Sequence, residues 1–172
     1  QKSLLERVLQ QRKLRESTKA IIVPYEDKYR LHFKQLNEEW IHQYFEMEEM
    51  DHKALDHPKE YILDNGGHIV VALYEGEVVG VCALIKMDHP RYDYELAKMG
   101  VSPKAQGKGI GWLLGKAVVE KAKDLGAKII YLESNTVLEP AISLYRKLGF
   151  IKIAGEPSPY ARSNIQMELQ LS

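Results

Sequence analysis

Four glycines stand between a proline and a long apolar helical pattern in the stretch VSPKAQGKGIGWLLGKAVVEKA, residues 101–122. Gly107, Gly109 and Gly111 alternate with Lys108 and Ile110, and Gln106 precedes them. Backbone amides from Gly107 to Trp112 lead straight into a helix N-terminus, where unpaired N–H groups and the positive end of the helix dipole attract anions. Without Cβ atoms, phosphate oxygens can reach those amides, and Lys108 adds a positive charge. The competing reading is that the glycines only permit close strand-to-helix packing. Spacing removes two other phosphate sites. A dinucleotide fingerprint needs glycines at relative positions one, three and six, and Leu114 or Trp112 falls on the third. No Gly-Lys-Ser or Gly-Lys-Thr occurs, which excludes the triphosphate loop.

Other reactive side chains are fewer. The loop PSPYARSN offers Tyr160 and Arg162, and Arg162 either clamps a substrate carboxylate bidentately or sits in solvent. The six histidines, at 32, 42, 52, 57, 68 and 89, form no ligand spacing, so no metal is expected. Cys82, the only cysteine, lies within the apolar run VVGVCALIKM and reads as packing rather than as a nucleophile.

The elements that must hold these residues follow from hydrophobic period. Leu4, Leu5, Val8 and Leu9 share one face of a first helix, and AIIVPYED is a short strand ended by its proline. Leu36, Trp40 and Tyr44 form a row at spacing four, with Ile41 and Phe45 beside them and Asn37, Glu38 and Glu39 polar. A shorter helix and a further turn around PKEYIL precede the glycine pair at 66–67. HIVVALYEGEVVGVCALIKM is a hairpin turning at EGE, and YDYELAKMGVS is a strand broken at Ser102–Pro103. The helix after the glycines carries Ile110, Leu114 and Val118 inward and ends at Gly126. KIIYLES is a strand, and PAISLYRKLG a helix from Pro140 to Gly149. FIKIAG and NIQMELQL are strands, the last with Ile165, Met167, Leu169 and Leu171 on one face. The fold class is therefore α/β, a mixed sheet flanked by helices with one crossover unit. Residues 1–18 form an N-terminal helix or linker, and 19–172 form one domain.

The chain has 172 residues, 45% hydrophobic and 28% charged, as a folded domain requires. Lys plus Arg equals Asp plus Glu at 24 each, so no bulk attraction to nucleic acid or to an anionic membrane is expected. A lone thiol fits a reducing compartment, and no apolar run spans a bilayer, so a cytoplasmic protein is expected.

The order YELAKMGVSPKAQGKGIG, helix, IIYLESN, then PAISLYRKLGF resembles the GNAT superfamily of acyl-CoA N-acyltransferases. That family carries Arg/Gln-x-x-Gly-x-Gly/Ala before its central helix, matched by Gln106, Gly109 and Gly111. It also carries a Tyr followed by a short basic segment and Gly-Phe, matched by Tyr145 and RKLGF. The likeness covers roughly residues 20–171. SPYARSNIQMEL and LNEEWIHQYFEMEEMD look like a subgroup with members fused behind helix-turn-helix regulators, of which only the enzyme half is similar here.

The resemblance implies a central, mostly antiparallel sheet and acetyl-CoA as cofactor. Gln106, Gly107, Lys108, Gly109, Ile110, Gly111 and Trp112 would hold its pyrophosphate, and the backbone of Met99 and Val101 its pantetheine arm. The family often has Asn-x-x-Ala before the last helix; here TVLEP separates Asn135 from Ala141, which leaves Asn135 a less direct match. Tyr44, Phe45 and Glu48 would form the acceptor's opposite wall, with Tyr160 and Arg162.

The implied reaction is direct acetyl transfer to a primary amine of a small molecule or amino-acid-like substrate. An alkyl ammonium is neutral in only about one molecule in 2,500 at pH 7, so its proton must be taken. Glu95 occupies the strand position where the family frequently places a base, sometimes acting through water. Asp93, two residues earlier on the same strand face, is its alternative. Tyr145 is the candidate acid for the leaving thiolate. Another class of function is a CoA-binding sensor or interaction module that kept the cradle and lost catalysis, motivated by Trp40 and Phe45 as exposed aromatics. Protein or peptide acetylation is a variant of the first, and a homodimer would serve either.

Overall fold

The computed structural model describes residues 2–17, 19–155 and 157–171. After helix α1 (Leu4–Ser17) come β1 (Ala20–Pro24), α2 (Arg30–Tyr44), α3 (Glu49–Asp56) and a single wide turn at Lys59–Leu63. Strands β2 (His68–Tyr74), β3 (Glu77–Lys86) and β4 (Tyr94–Val101) follow, then α4 (Ile110–Asp124), β5 (Ile129–Ser134), α5 (Glu139–Leu148), β6 (Ile151–Ile153) and β7 (Ile165–Gln170). Among the described residues the strands form one seven-stranded sheet in the order β1-β2-β3-β4-β5-β7-β6. Every neighbouring pair is antiparallel except β4 and β5. That parallel pair is what the intervening helix α4 requires, because a parallel return needs a crossover.

Local chemistry places the ends of these elements. The β2–β3 turn has Glu75 at φ 50° and Gly76 at φ 82°, two left-handed residues that match hairpin twist. Gly126 (φ 81°) and Gly149 (φ 106°) end α4 and α5 as expected.

Two apolar cores cover the two faces of the sheet. One packs α4 and α5 on the sheet through Leu114, Val118, Ile142, Tyr145 and Phe150 against Cys82, Leu96, Ile130, Leu132, Ile165 and Met167. The alternation expected of the last strand is realised, since Leu169 and Leu171 also pack here. The second core joins Phe33 and Ile41 of α2 and Leu55 of α3 to Ile69, Val71, Val81 and Ala83. The inward row of α2 differs from expectation: Phe33, Asn37 and Ile41 are buried, while Tyr44 is 48% exposed. Asn37 is tolerated inside because its Nδ2 donates to Phe33 O (3.0 Å) and its Oδ1 accepts from Trp40 Nε1 (3.0 Å). Trp40 and Phe45 are half-buried against this core rather than displayed, which removes the reason for reading them as an exposed interface. On α1, Leu4, Leu5, Val8 and Leu9 are all exposed.

Candidate active site

Strand β4 changes neighbours along its length, and this opens the site. Its pairing with β5 covers only Tyr94↔Ile130 and Glu95↔Tyr131, after which the two strands part. On the other side its register with β3 shifts between Val81↔Gly100 and Ala83↔Ala97. Lys98 lies in that bulge with φ 54°, a left-handed conformation that bends the strand and re-aims its side chains. Gly100 lets α2 lie directly on β4, since a Cβ there would meet Leu36 O at 2.8 Å.

At the end of β4 the chain enters the glycine turn. Gly107 (φ 80°) and Gly109 (φ 77°) are left-handed, and a Cβ on Gly107 would point into open space. Packing therefore does not account for Gly107. Gly109 caps α4, and no side chain does so, which leaves first-turn N–H groups for an outside acceptor. Gly111 and Gly115 are packing residues: their Cβ positions would meet Leu144 Cδ2 at 3.1 Å and Leu148 Cδ1 at 2.6 Å on α5. Lys108 lies over the Tyr74 ring at 5.0 Å, and Trp112, 39% exposed, carries Lys116 over its ring at 5.7 Å. Gln106 is exposed, while Met99 and Val101 are half-buried. The turn fits an anionic group such as a pyrophosphate.

Glu95 stands where β4 and β5 begin to diverge, on the sheet face opposite Leu96. Burial pushes its carboxyl up to about 8, with the negative charge of Glu133 adding to the shift and Lys98 opposing it. Asp93 is placed differently from expectation. It precedes β4, and its carboxylate accepts from Lys128 N (2.8 Å) and Ile129 N (3.3 Å), pinning the entry to β5. Tyr145 is buried in the α4–α5 core with its ring edge-on to Phe150 at 6.2 Å. Burial, then the neighbouring Cys82 sulfur, raises its phenol above the ordinary range. Cys82 is itself fully buried and its thiol is pushed up by burial, as its packing role predicts.

The facing wall is an ionic cluster whose members come from three distant segments. Lys98 Nζ donates to Asp51 Oδ1 (2.8 Å) and to Tyr160 OH (2.9 Å). Arg162 closes on the same carboxylate with Nη1 and Nη2, both at 2.6 Å, and reaches Glu48 at 3.4 Å. Its guanidinium also lies over the rings of Tyr160 (4.5 Å) and Trp40 (5.7 Å). Burial would raise the Asp51 carboxyl, but Arg162 and Lys98 overcome it and hold it at about 2. Arg162 is thus neither in solvent nor an open clamp, because its fork is occupied by Asp51. Asn135 likewise ties the wall together, donating to Arg162 O (2.7 Å) and accepting from Val137 N (2.9 Å). Tyr44 makes local contacts, its hydroxyl accepting from Gln43 Nε2 (3.3 Å) and its ring 6.2 Å from Phe45.

Asp51, Lys98 and Glu133 are the residues that sequence reasoning missed. Lysine inside YELAKMGV, at an inward strand position, is the one signal that pointed to a buried charge needing a partner. No group of three His, Cys, Asp or Glu is gathered for a metal among the described residues.

The signature described as the acetyltransferase (GNAT) family matches residues 33–150. The chain belongs to that family. It is similar to the uncharacterized N-acetyltransferase YjgM of Escherichia coli (strain K12), 41% identical over 81 residues, which is 46% of this chain and 48% of that protein. The chain spans about half the length of the curated relatives it matches. Its fold is similar to a GNAT-family acetyltransferase from Staphylococcus aureus Mu50 (TM-score 0.79, 21% identity, 89% of this chain and 99% of that one). It is also similar to yncA from Salmonella typhimurium, solved with its cofactor acetyl-CoA (TM-score 0.69, 18% identity, 90% and 95%). No helix among the described residues is long and apolar enough to cross a membrane.

Proposed function

We propose that this chain is an N-acetyltransferase, with residues 19–172 as its working unit, moving an acetyl group from acetyl-CoA directly to a primary amine of a small molecule or amino-acid-like substrate. The observation that carries this reading is Glu95, a carboxyl raised to about 8 at the point where β4 and β5 part, on the strand that ends in the glycine turn. An ordinary carboxylate near 4.5 would take a proton from an alkyl ammonium at a cost of about 8 kcal/mol; one near 8 does so at about 3 kcal/mol.

Gln106, Lys108 and the amides from Gly107 to Trp112, Ile110 and Gly111 included, hold the pyrophosphate; the backbone of Met99 and Val101 holds the pantetheine arm, and Asn135 supports the adjoining loop. Acetyl-CoA, when bound, supplies the thioester carbonyl that the amine attacks and the sulfur that leaves. Glu95 takes the amine's proton, directly or through water, as the new C–N bond forms. Tyr145, kept protonated by burial, donates its proton to the sulfur as the C–S bond breaks. Tyr44, Tyr160 and Arg162 bound the acceptor side, Arg162 through its stacked planes rather than a free fork.

The test is thiol release from acetyl-CoA over a panel of primary amines. Release that depends on an amine is expected. Acetyl-CoA binding without release for any amine would overturn the proposal.

A further inference from the structure

The charges around the cleft are unevenly satisfied, and this bears on the acceptor. Both cations of the facing wall are balanced. Lys98 and Arg162 share Asp51, and Glu48 adds a second carboxylate at 3.4 Å from Arg162. Releasing Arg162 to bind a substrate carboxylate would leave the fully buried Asp51 with half its compensation gone. On the cleft floor the position is reversed. Glu95 pairs in register with Tyr131, and Glu133 lies two residues further along β5, so the two carboxylates share a sheet face. Among the described residues Glu133 accepts from neutral donors, Tyr131 OH at 2.8 Å and Ser158 Oγ at 2.6 Å. No Lys or Arg forms an ion pair with Glu95 or Glu133 among the described residues. The surrounding surface is aromatic. Tyr131 packs against Tyr92 at 4.9 Å, and the Tyr160 ring already holds two cations on its faces. Aromatic faces beside a carboxylate that has no cationic partner among the described residues, as at Glu133, attract organic cations and repel carboxylates.

Resting on the N-acetyltransferase reading, we infer that Glu133 sets acceptor specificity: its carboxylate, beside Glu95 and opposite a neutralised Lys98–Asp51–Arg162 wall, selects amines that carry a further positive charge and no carboxylate. Glu95 serves the reacting nitrogen, and Glu133 holds the remaining charge. Amino acids with a free carboxylate are disfavoured because no unpaired cation receives it.

Putrescine and γ-aminobutyrate test this, since they share chain length and reacting amine and differ in the charge at the far end. Wild-type kcat/KM should favour putrescine by about tenfold or more, the range for one charge-assisted contact. Glu133→Gln, whose amide oxygen accepts from one of the Tyr131 and Ser158 hydroxyls while its NH2 donates to the other, should bring the ratio close to one, chiefly by raising the KM for putrescine. Glu133→Asp, which keeps the charge, should keep most of the preference. Equal or better use of γ-aminobutyrate by the wild-type protein, or an unchanged ratio in Glu133→Gln, would overturn the inference. Calorimetric titration of both amines into protein saturated with CoA separates this from the parent reading. If neither amine is acetylated, the acetyltransferase proposal fails for them. Tighter putrescine binding that Glu133→Gln abolishes would still support the charge selection, and indifferent binding would refute it.

Discussion

Replacing Glu95 by glutamine separates the proposed base from a merely polar strand residue, because its two consequences run in opposite directions. In the native protein the carboxyl is raised from 4.5 to about 8 by burial, by Glu133 and against Lys98. About a tenth of it is ionised at pH 7, and about a hundredth at pH 6. The kcat/KM for an alkylamine should therefore climb with a slope near one up to an inflection at about 8, then fall as the ammonium itself loses its proton near 10.4. Glu95→Gln should lower the rate by about 10²–10⁴ and erase the inflection near 8, leaving a rate that follows the neutral amine alone. Stability should move the other way. A carboxyl whose folded value lies above its unfolded one keeps its proton in the native state where the unfolded chain has lost it. Stability is then full below about 4.5 and falls as pH rises toward 8. At pH 7 the loss comes to no more than about 3 kcal/mol, which Glu95→Gln does not suffer. Its Tm relative to wild type should rise by up to about 6–12 °C between pH 4.5 and pH 7. Steady-state pH profiles and thermal unfolding at both pH values measure the pair. A glutamine variant that keeps an inflection near 8, or whose stability difference from wild type is the same at both pH values, would refute the placement of this proton on Glu95.

Tyr145→Phe should lower kcat by at least about tenfold while leaving the Kd for acetyl-CoA unchanged, as stopped-flow turnover and calorimetry would show; equal turnover would remove the phenol from the reaction. Gly107→Ala meets no neighbour but carries φ 80°, so the strain falls on the turn itself. It should weaken acetyl-CoA binding by about tenfold and lower Tm by about 2–8 °C, both read by calorimetry. Asp51→Asn strips the shared counter-ion from Lys98 and Arg162 and should destabilise by about 3–5 kcal/mol in urea unfolding. The contribution of this lowered carboxyl should be present above about pH 4 and fade as pH falls toward 2. Gly100→Ala drives a methyl into the α2 backbone and should cost about 2 kcal/mol, lowering Tm by about 4–8 °C.

Much of the molecule follows from short-range rules that a sequence displays directly. Left-handed turns at Gly107, Gly109, Gly126 and Gly149 stand where glycine removes a Cβ penalty, and Leu169 and Leu171 take the sheet face their spacing implies. Those rules act within a turn or a strand period, so the glycine turn and its helix were legible. The rest of the site depends on which distant residues meet. Lys98 and Asp51 lie 47 positions apart and Asp51 and Arg162 lie 111 apart, and only the packing of α3, the β4 bulge and the loop before β7 closes them into one cluster. That closure turns Arg162 from an open clamp into a buried partner. It also leaves Glu95 and Glu133 without an ion-pair partner among the described residues, brought onto one face by the parallel pairing of β4 and β5. Sequence by itself determined the glycine turn and the helix behind it, because backbone conformation is a local property. Tertiary structure alone decided that Lys98, Asp51 and Arg162 meet in one cluster, because a buried charge is defined by its partner, and partners are chosen by the fold.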